Sequence, residues 1–562
     1  MNERPIIYQV FTRLFGAEGK HKTPGGSMKQ NGCGKMNDLT AEVLADIRSL
    51  GCNYIWTTGV IEHAQQSDYT AYGIAKDNPV VVKGRAGSPY AIKDYYDIDP
   101  DLAASVPDRL KEFGQMVERV HRAGLKIIID FVPNHVARQY HSDAKPLGVN
   151  DLGEDDNVTM RFDPNNNFYY LIGEPLSVHN ICDGETAGTP YTENPAKVTG
   201  NDCFSSCPGR NDWYETVKLN YGIDYEHWNQ TYFGNVDVPD TWNKMLDILR
   251  YWASRGVDGF RCDMAEMVPC EFWGWVIPKI KSEHKDVIFI AEVYNPYEYR
   301  NYIYNGKFDY LYDKVGLYDT LRRVMGGESA SLITQCWQSV DDINQYMLNF
   351  LENHDEQRIA SDFFAGSALK GRPALLASAL MRSNPFMIYF GQELGEEGME
   401  EEGFSGRDGR TTIFDYWTID KILRYRQGKL TEDEQDLRNY YKKVLNLCNH
   451  EAALRQGKFF DLMYANYENQ HMDTNKLYAF LRCHNTELII VVCNFSNSTE
   501  AMSLNIPDHA FDYLNIESGK YTATNLLTDE KMDVDLHPDT PVNMLVRPLD
   551  GKVIKLTVKH KS

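Results

Sequence analysis

The stretch Lys126-Ile127-Ile128-Ile129-Asp130-Phe131-Val132 constrains the fold more than any other. It has almost no polar alternation, so as a strand it must be covered on both faces. That is the situation of a parallel sheet flanked by helices. Comparable runs occur at residues 6–11, 53–58, 259–264, 287–293, 310–315, 347–351 and 385–390. Helical periods fall between several of them, at 39–50, 107–123, 240–255, 272–284 and 368–383, the first two closed by Gly51 and Gly124. Eight strands with interleaved helices predict an α/β fold of the closed (β/α)8 type, a TIM barrel. The competing open, doubly wound sheet is disfavoured by the count of eight and by the lack of a Gly-rich dinucleotide loop.

The alternation breaks once. Residues 136–236 are rich in Asn, Asp, Gly and Pro and lack long periodicity, which predicts an irregular domain inserted after the third strand. The barrel is then built from 1–135 and 237–457, ending on an amphipathic helix at 431–450. From 458 to 562 the pattern changes to short alternating runs at 477–482, 487–495, 521–526 and 542–547, which predict an antiparallel β-sandwich. A net charge of −22 argues against nucleic acid or an anionic membrane as a partner. No apolar run reaches the roughly 18 residues of a membrane span. The first residues carry no basic segment followed by an apolar one, so the expectation is a cytoplasmic protein. Eleven cysteines are scattered without framework spacing. Cys52, Cys262, Cys448 and Cys493 read as buried thiols, and Cys203 and Cys207 lack a second pair to complete a zinc site. The sequence carries no signal for an oligomeric state.

In a barrel of this kind the active site lies at the carboxyl ends of the strands. Strand three delivers Asp130, Asn134 and His135 there. Strand four ends Gly259-Phe260-Arg261-Cys262-Asp263-Met264, strand five delivers Glu292, and strand seven runs into Asn353-His354-Asp355. Strand alternation puts Arg261 and Asp263 on one side, where the cation favours an ionised carboxylate fit to act as a nucleophile. Singly, each acid reads equally well as a structural ion pair. Together they would repel one another without a task. Two carboxyl groups facing each other across a bond are the equipment of glycoside hydrolysis, and the retaining version holds them about 5–5.5 Å apart. A Glu among other acids at the apolar end Phe289-Ile290-Ala291 is expected to have a raised pKa, as the acid requires.

Asp130-Phe131-Val132-Pro133-Asn134-His135, Gly259-Phe260-Arg261-Cys262-Asp263, Ala291-Glu292-Val293 and Asn353-His354-Asp355 resemble the four signature stretches of the α-amylase superfamily, in the family's order. Val217-Lys218-Leu219-Asn220, Ser88-Pro89-Tyr90 with Asp94-Tyr95-Tyr96, and the stretch from Pro385 to Gly391 resemble further family motifs. The resemblance implies Asp263 as nucleophile, Glu292 as acid/base and Asp355 as transition-state stabiliser. It implies Arg261 as the group that keeps Asp263 ionised. His135 and His354 would bond the sugar before the cleaved bond, and Tyr90 would stack on it. It implies a retaining α-glucan hydrolase acting on maltooligosaccharides through α-1,4 bonds, with α-glucosidase or transglycosylase action on the same machinery as the alternative. A non-catalytic sugar-binding relative is the reading of a different class. The chemistry needs no cofactor.

Calcium-dependent members carry Lys-His just after the nucleophile, where this chain has Ala265-Glu266. Asn134 matches a family calcium ligand and is the candidate for a structural calcium. The acidic run Asp151, Glu154, Asp155, Asp156 could add oxygens, but reads first as a solvated loop. Trp56-Thr57-Thr58-Gly59 lacks a proline common in relatives, so a different substrate wall is expected there. Met399 to Glu402 reads as a solvent-facing acidic loop.

Overall fold

The computed structural model describes residues 3–178, 181, 190–234, 237–538 and 540–561. The expectation of a leader-free start at Met1, and parts of the predicted insertion, lie outside them. Eight parallel strands close into a barrel: β1 (Ile6–Phe11), β2 (Tyr54–Thr58), β3 (Lys126–Phe131), β4 (Gly259–Cys262), β5 (Ile288–Ala291), β6 (Tyr310–Tyr312), β7 (Met347–Phe350) and β8 (Phe386–Tyr389). Neighbours in sequence are neighbours in the ring, and β8 pairs β1. The run that predicted a doubly covered strand is buried from Ile127 through Phe131.

Alternation along these strands makes two shells. Inward residues Ile7, Trp56, Ile128, Ile290, Tyr312, Leu348 and Met387 fill the barrel. The outward residues join the helices in one continuous core, which also takes in the C-terminal sheet. Gly259 opens β4 because a Cβ there would lie 2.7 Å from Ile288 Cγ1. The next inward residue of β4 is Arg261, level with Asp130 on β3 and Ile290 on β5. The barrel interior is therefore apolar below and charged at the top, where β4 sets its arginine.

Three features depart from expectation. β4 stops at Cys262, and the chain turns through Met264 at φ 44°. The Asp263 amide still bonds the Phe131 carbonyl at 2.9 Å, and the turn after it leaves the Asp263 carboxylate facing the cavity at the barrel mouth. Past β2, Ile61–His63 pairs antiparallel with Ile92–Ile98 in a two-stranded ribbon not expected from the sequence. All seven residues of Ile92–Ile98 are buried, including Lys93, Asp94 and Asp97, so its charges hid it as a strand. After β6 come a π-helical turn, Lys314–Tyr318, and helices Asp319–Met325 and Leu332–Ser339, too short for their periodicity to stand out.

Among the described residues between His135 and Thr231 the strands are two or three residues long, around a small core that includes Tyr169, Leu171, Val198 and Tyr214 together with Val80 and Val81. The C-terminal region is a six-stranded antiparallel sheet plus a two-stranded one, Glu500–Leu504 with Val542–Val546. Its strands Lys458–Asp461, Lys531–Leu536 and Asp550–Thr557 and its helix Asp508–Leu514 add to the four runs expected. The sheet is riveted to the barrel by Arg482, which donates to the Leu380 carbonyl at 2.9 Å, and by Asp461, which accepts from Thr334 and Trp337.

Candidate active site

Arg261 organises the mouth of the barrel. It is fully buried, and three carboxylates converge on it. Its Nη1 donates to Asp263 Oδ1 at 2.7 Å and lies 3.6 Å from Asp130 Oδ1. Its Nη2 lies 2.9 Å from Glu292 Oε2. That contact is close but misaligned for a hydrogen bond, since Nη2 has no acceptor in line. Tyr312 accepts from Nε at 3.2 Å, and the guanidinium sits over the rings of Trp56, Tyr90 and Tyr312. An arginine in this setting stays charged and holds the acids around one shared cation.

The predicted site residues line one cavity of about 350 Å³ or grip those that do. Asp263, Glu292, Asp355, Tyr90 and His135 face it directly, with Lys83, Trp213, Tyr294 and Phe414. His354 and Arg261 support it from below. Tyr90 stacks on His354 with ring centroids 5.2 Å apart, and its hydroxyl meets His354 Nε2 at 2.7 Å. The other face of the imidazole's bonding is Gln9 Nε2, 2.9 Å from Nδ1. His135 Nε2 stands 4.0 Å from Asp263 Oδ2 and its ring packs on Trp213. Asn353 shapes the next turn, its Oδ1 accepting from the amides of Asp355 and Glu356.

The electrostatics of the site centre on Asp263. The raised acid was expected at Glu292. Burial pushes Asp263 up as well as leaving it among other acids, with repulsion from Glu292 and Asp355 adding to it and Arg261 opposing. Glu292 is ringed by donors. The Tyr294 hydroxyl donates to Oε1 at 2.5 Å and the Met264 amide to Oε2 at 2.8 Å. Burial would raise Asp355, but the His354 contact at 3.0 Å outweighs it and holds the carboxyl at about 2. This carboxylate is 39% exposed, so solvent screens part of that pull. Burial, helped by Lys218 and Lys83, drops His135 to about 3, which makes it a neutral ring at working pH.

Calcium at Asn134 does not fit the residues present. Asn134 Oδ1 accepts from Lys218 Nζ at 3.0 Å, and the same ammonium pairs with Asp202 at 2.5 Å. A covalently tethered cation already stands against the candidate ligand. Nor is the acidic run simply solvated. Asp151 is buried and accepts from the Ser142 amide, and Asp156 accepts from the amides of Asn167 and Phe168. In the loop after β8, Glu402 is 2% exposed rather than solvent-facing, and burial pushes it up to about 8. Near Gly59, Trp56 lies inside the barrel beneath the cavity, where its indole donates to Asp130 at 3.1 Å and stands edge-on to His354.

Gln9, Trp56, Tyr294 and Tyr312 are site residues the sequence reading missed. Gln9 and Trp56 sit at inward positions within β1 and β2, Tyr312 ends β6 and Tyr294 lies just past β5, so inward alternation toward the carboxyl ends is the signal that finds them. Tyr294 gives the sharpest test. Its hydroxyl favours charge on Glu292, and a hydrogen bond to a charged group contributes about 1.5–3 kcal/mol. Tyr294→Phe is expected to move the alkaline limb of the pH–rate profile up by about one unit. A pH series of initial rates checks this; an unmoved limb with a lowered kcat would mark a merely packing role.

The catalytic-domain model of α-amylase matches residues 9–445. Neopullulanase 2 of Thermoactinomyces vulgaris is 22% identical over 474 residues, 83% of this chain and 65% of the relative. Alpha-amylase MalA of Haloarcula japonica is 23% identical over 540 residues, 95% of this chain and 61% of the relative. The chain thus spans somewhat less than two thirds of the length of these relatives. Among solved structures, the maltogenic α-amylase AmyB of Thermotoga neapolitana superposes with a TM-score of 0.62 at 19% identity over 98% of both chains. The α-amylase of Geobacillus thermoleovorans, solved with acarbose, gives 0.63 at 18% identity over 99% of both. A domain model matching more than three quarters of the sequence, on a closed eight-stranded barrel, places the chain in the α-amylase family of glycoside hydrolases.

Proposed function

We propose that the chain is a retaining hydrolase of α-glucosidic bonds, acting on maltooligosaccharides and chiefly on α-1,4 linkages. The observation that carries this reading is the arginine fork: one buried guanidinium meets Asp263 with one nitrogen and Glu292 with the other, at the floor of the cavity that Asp355 also lines. In this reading a glucosyl ring rests against Tyr90, and Asp355 accepts its hydroxyls. Glu292 gives its proton to the bridging oxygen as the C1–O bond breaks, while Asp263 Oδ attacks C1 from the opposite face. The product sugar leaves, and a glycosyl ester on Asp263 remains. Glu292 then takes a proton from water as the water oxygen attacks C1, the ester breaks and Asp263 is released as carboxylate. For Glu292 to start as an acid, the Tyr294 hydroxyl turns from donor to acceptor. His135 bonds the sugar as a neutral ring. His354 acts through Tyr90 and Asp355.

The division into barrel (1–135 and 237–457), insertion (136–236) and C-terminal sandwich (458–562) belongs to the same reading. So does a cytoplasmic location, which ten free thiols among the described cysteines support. No described helix is long and apolar enough to cross a membrane. The chemistry runs on these side chains without a cofactor, and Lys218 stands where a calcium at Asn134 would.

End-labelled maltoheptaose, pullulan, trehalose and sucrose provide the test. The reading expects maltoheptaose to be cut to shorter maltooligosaccharides, with the α anomer released first. Glucose freed one unit at a time would make it an α-glucosidase, and products longer than substrate a transglycosylase. Binding without turnover by a folded protein would overturn it.

A further inference from the structure

A second acidic cluster lies outside the catalytic cavity, and nothing in the proposed reaction uses it. Glu62, Asp94, Asp97 and Asp143 each place a side-chain oxygen within 4.8 Å of the others. The ribbon past β2 assembles three of them. Glu62 pairs with Asp94, and the register slips so that Ile61 pairs with Ile98, which bulges Asp97 back toward Glu62. Asp143 comes from the start of the insertion.

The surroundings leave this cluster under-neutralised. Asp97 has a cation, Arg109, whose Nε bonds both its oxygens at 2.9 Å. Asp94 is held by four neutral donors: the Ser142 hydroxyl and the amides of Tyr96, Asp143 and Ala144. Lys93 belongs to Asp77 at 3.2 Å and stands 3.9 Å from Glu62. Glu62 is 1% exposed, and its Oε2 has no hydrogen-bond partner at all. A buried carboxylate oxygen without a partner is costly, and here it sits among three more acids.

We propose that these four residues hold a hard divalent cation, Ca²⁺ or Mg²⁺. The donors are all carboxylate oxygens, with no nitrogen or sulfur, which is the ligand chemistry of those ions rather than of zinc or copper. Glu62 supplies its free oxygen from inside. Asp143 is exposed and supplies the outer ligand, where water completes the shell. Asp94 and Asp97, fixed by their donors, complete the negative wall. The ion would fasten the insertion to the ribbon. The ribbon reaches the catalytic cavity through Tyr95, whose hydroxyl bonds the backbone carbonyls of Val132 and His135. The four residues therefore position the cavity wall and do not touch the reacting sugar.

The full-length protein, stripped with chelator and desalted, is titrated with CaCl₂ and with MgCl₂ while its thermal midpoint is followed. Terbium is added separately and its luminescence is read through the nearby tyrosines. The proposal expects a saturable rise of the midpoint by several degrees with either ion at millimolar concentration. It also expects one terbium bound per chain, displaced by calcium or magnesium. Asp143→Asn, at an exposed position that leaves the core alone, and Glu62→Gln should each weaken binding at least tenfold. No midpoint shift and no terbium signal in the unmodified protein would overturn the proposal. Glu62→Gln leaving the midpoint unchanged or higher would then show that Glu62 simply keeps a proton. A terbium signal that survives both substitutions would overturn it equally, by placing the ion elsewhere.

Discussion

Asp263→Asn is expected to lower kcat on the order of 10⁵-fold, the scale on which enzymes fail when a nucleophile is removed. The amide keeps the shape of the side chain and can still meet Arg261, so the fold and the thermal midpoint should hold. Substrate binding should hold too, because Tyr90, His135 and Asp355 remain. What disappears is the carboxylate that forms the ester. The measurement is steady-state kinetics on a maltooligosaccharide, set beside calorimetric binding of the same sugar. Glu292→Gln separates the two roles. That variant should fail on ordinary glycosides yet keep much of its first step on glucosyl fluoride, whose leaving group needs little protonation. Equal losses on both substrates would mean that Glu292 is not the acid.

Arg261→Met carries the second large effect, and it falls on stability as well as on rate. Arg261 is fully buried, and its removal leaves Asp130, Asp263 and Glu292 without their shared cation. Breaking a buried ion pair by deleting one partner costs about 3–5 kcal/mol, because the other charge stays behind. The sign of the pH dependence follows. Burial already raises Asp130 and Asp263, and without the opposing guanidinium they rise further above their unfolded values. Stability is then retained at low pH, where the acids are protonated in both states, and is lost as pH rises through the folded values. The variant should unfold most easily at pH 8 and come closest to the parent near pH 5. Activity should fall by about 10³-fold or more, with the acid limb of its pH profile moved upward, since Asp263 must ionise unaided. Denaturant melts at the two pH values check the first expectation. A uniform loss across pH would show that Arg261 contributes packing rather than charge.

The barrel was readable because its strands are buried on both faces. Runs such as Ile127–Ile128–Ile129 and Phe289–Ile290–Ala291 leave no other way to satisfy the chain. The acids at the strand ends were readable because charges at the ends of apolar runs stand out. The ribbon Ile92–Ile98 was not, since three of its seven buried residues are Lys93, Asp94 and Asp97. Only tertiary partners such as Arg109, Asp77 and the loop at Ser142 make such a strand stable. Protonation was not readable either. Sequence spacing says which acids meet, but the donors that hold Glu292 come from Tyr294 and from the Met264 amide. The amide points correctly only because β4 ends two residues early, before a left-handed turn at Met264. The exchange of calcium for Lys218 is the same kind of case. Lys218 could be seen in the motif, but its reach to Asn134 and Asp202 depends on how Thr216–Lys218 folds back against His135–Ala137, just past β3.

The central claim is that Asp263 forms the covalent bond. It is tested most directly by soaking the enzyme with a fluorinated glucosyl fluoride, whose ring fluorine slows breakdown of the intermediate more than its formation. Peptide mass mapping then locates the label. The account predicts one fluoroglucosyl unit per chain, on the peptide containing Asp263, and none on Asp263→Asn. A stable label on Glu292 or Asp355, or hydrolysis with inverted product and no label at all, would contradict it.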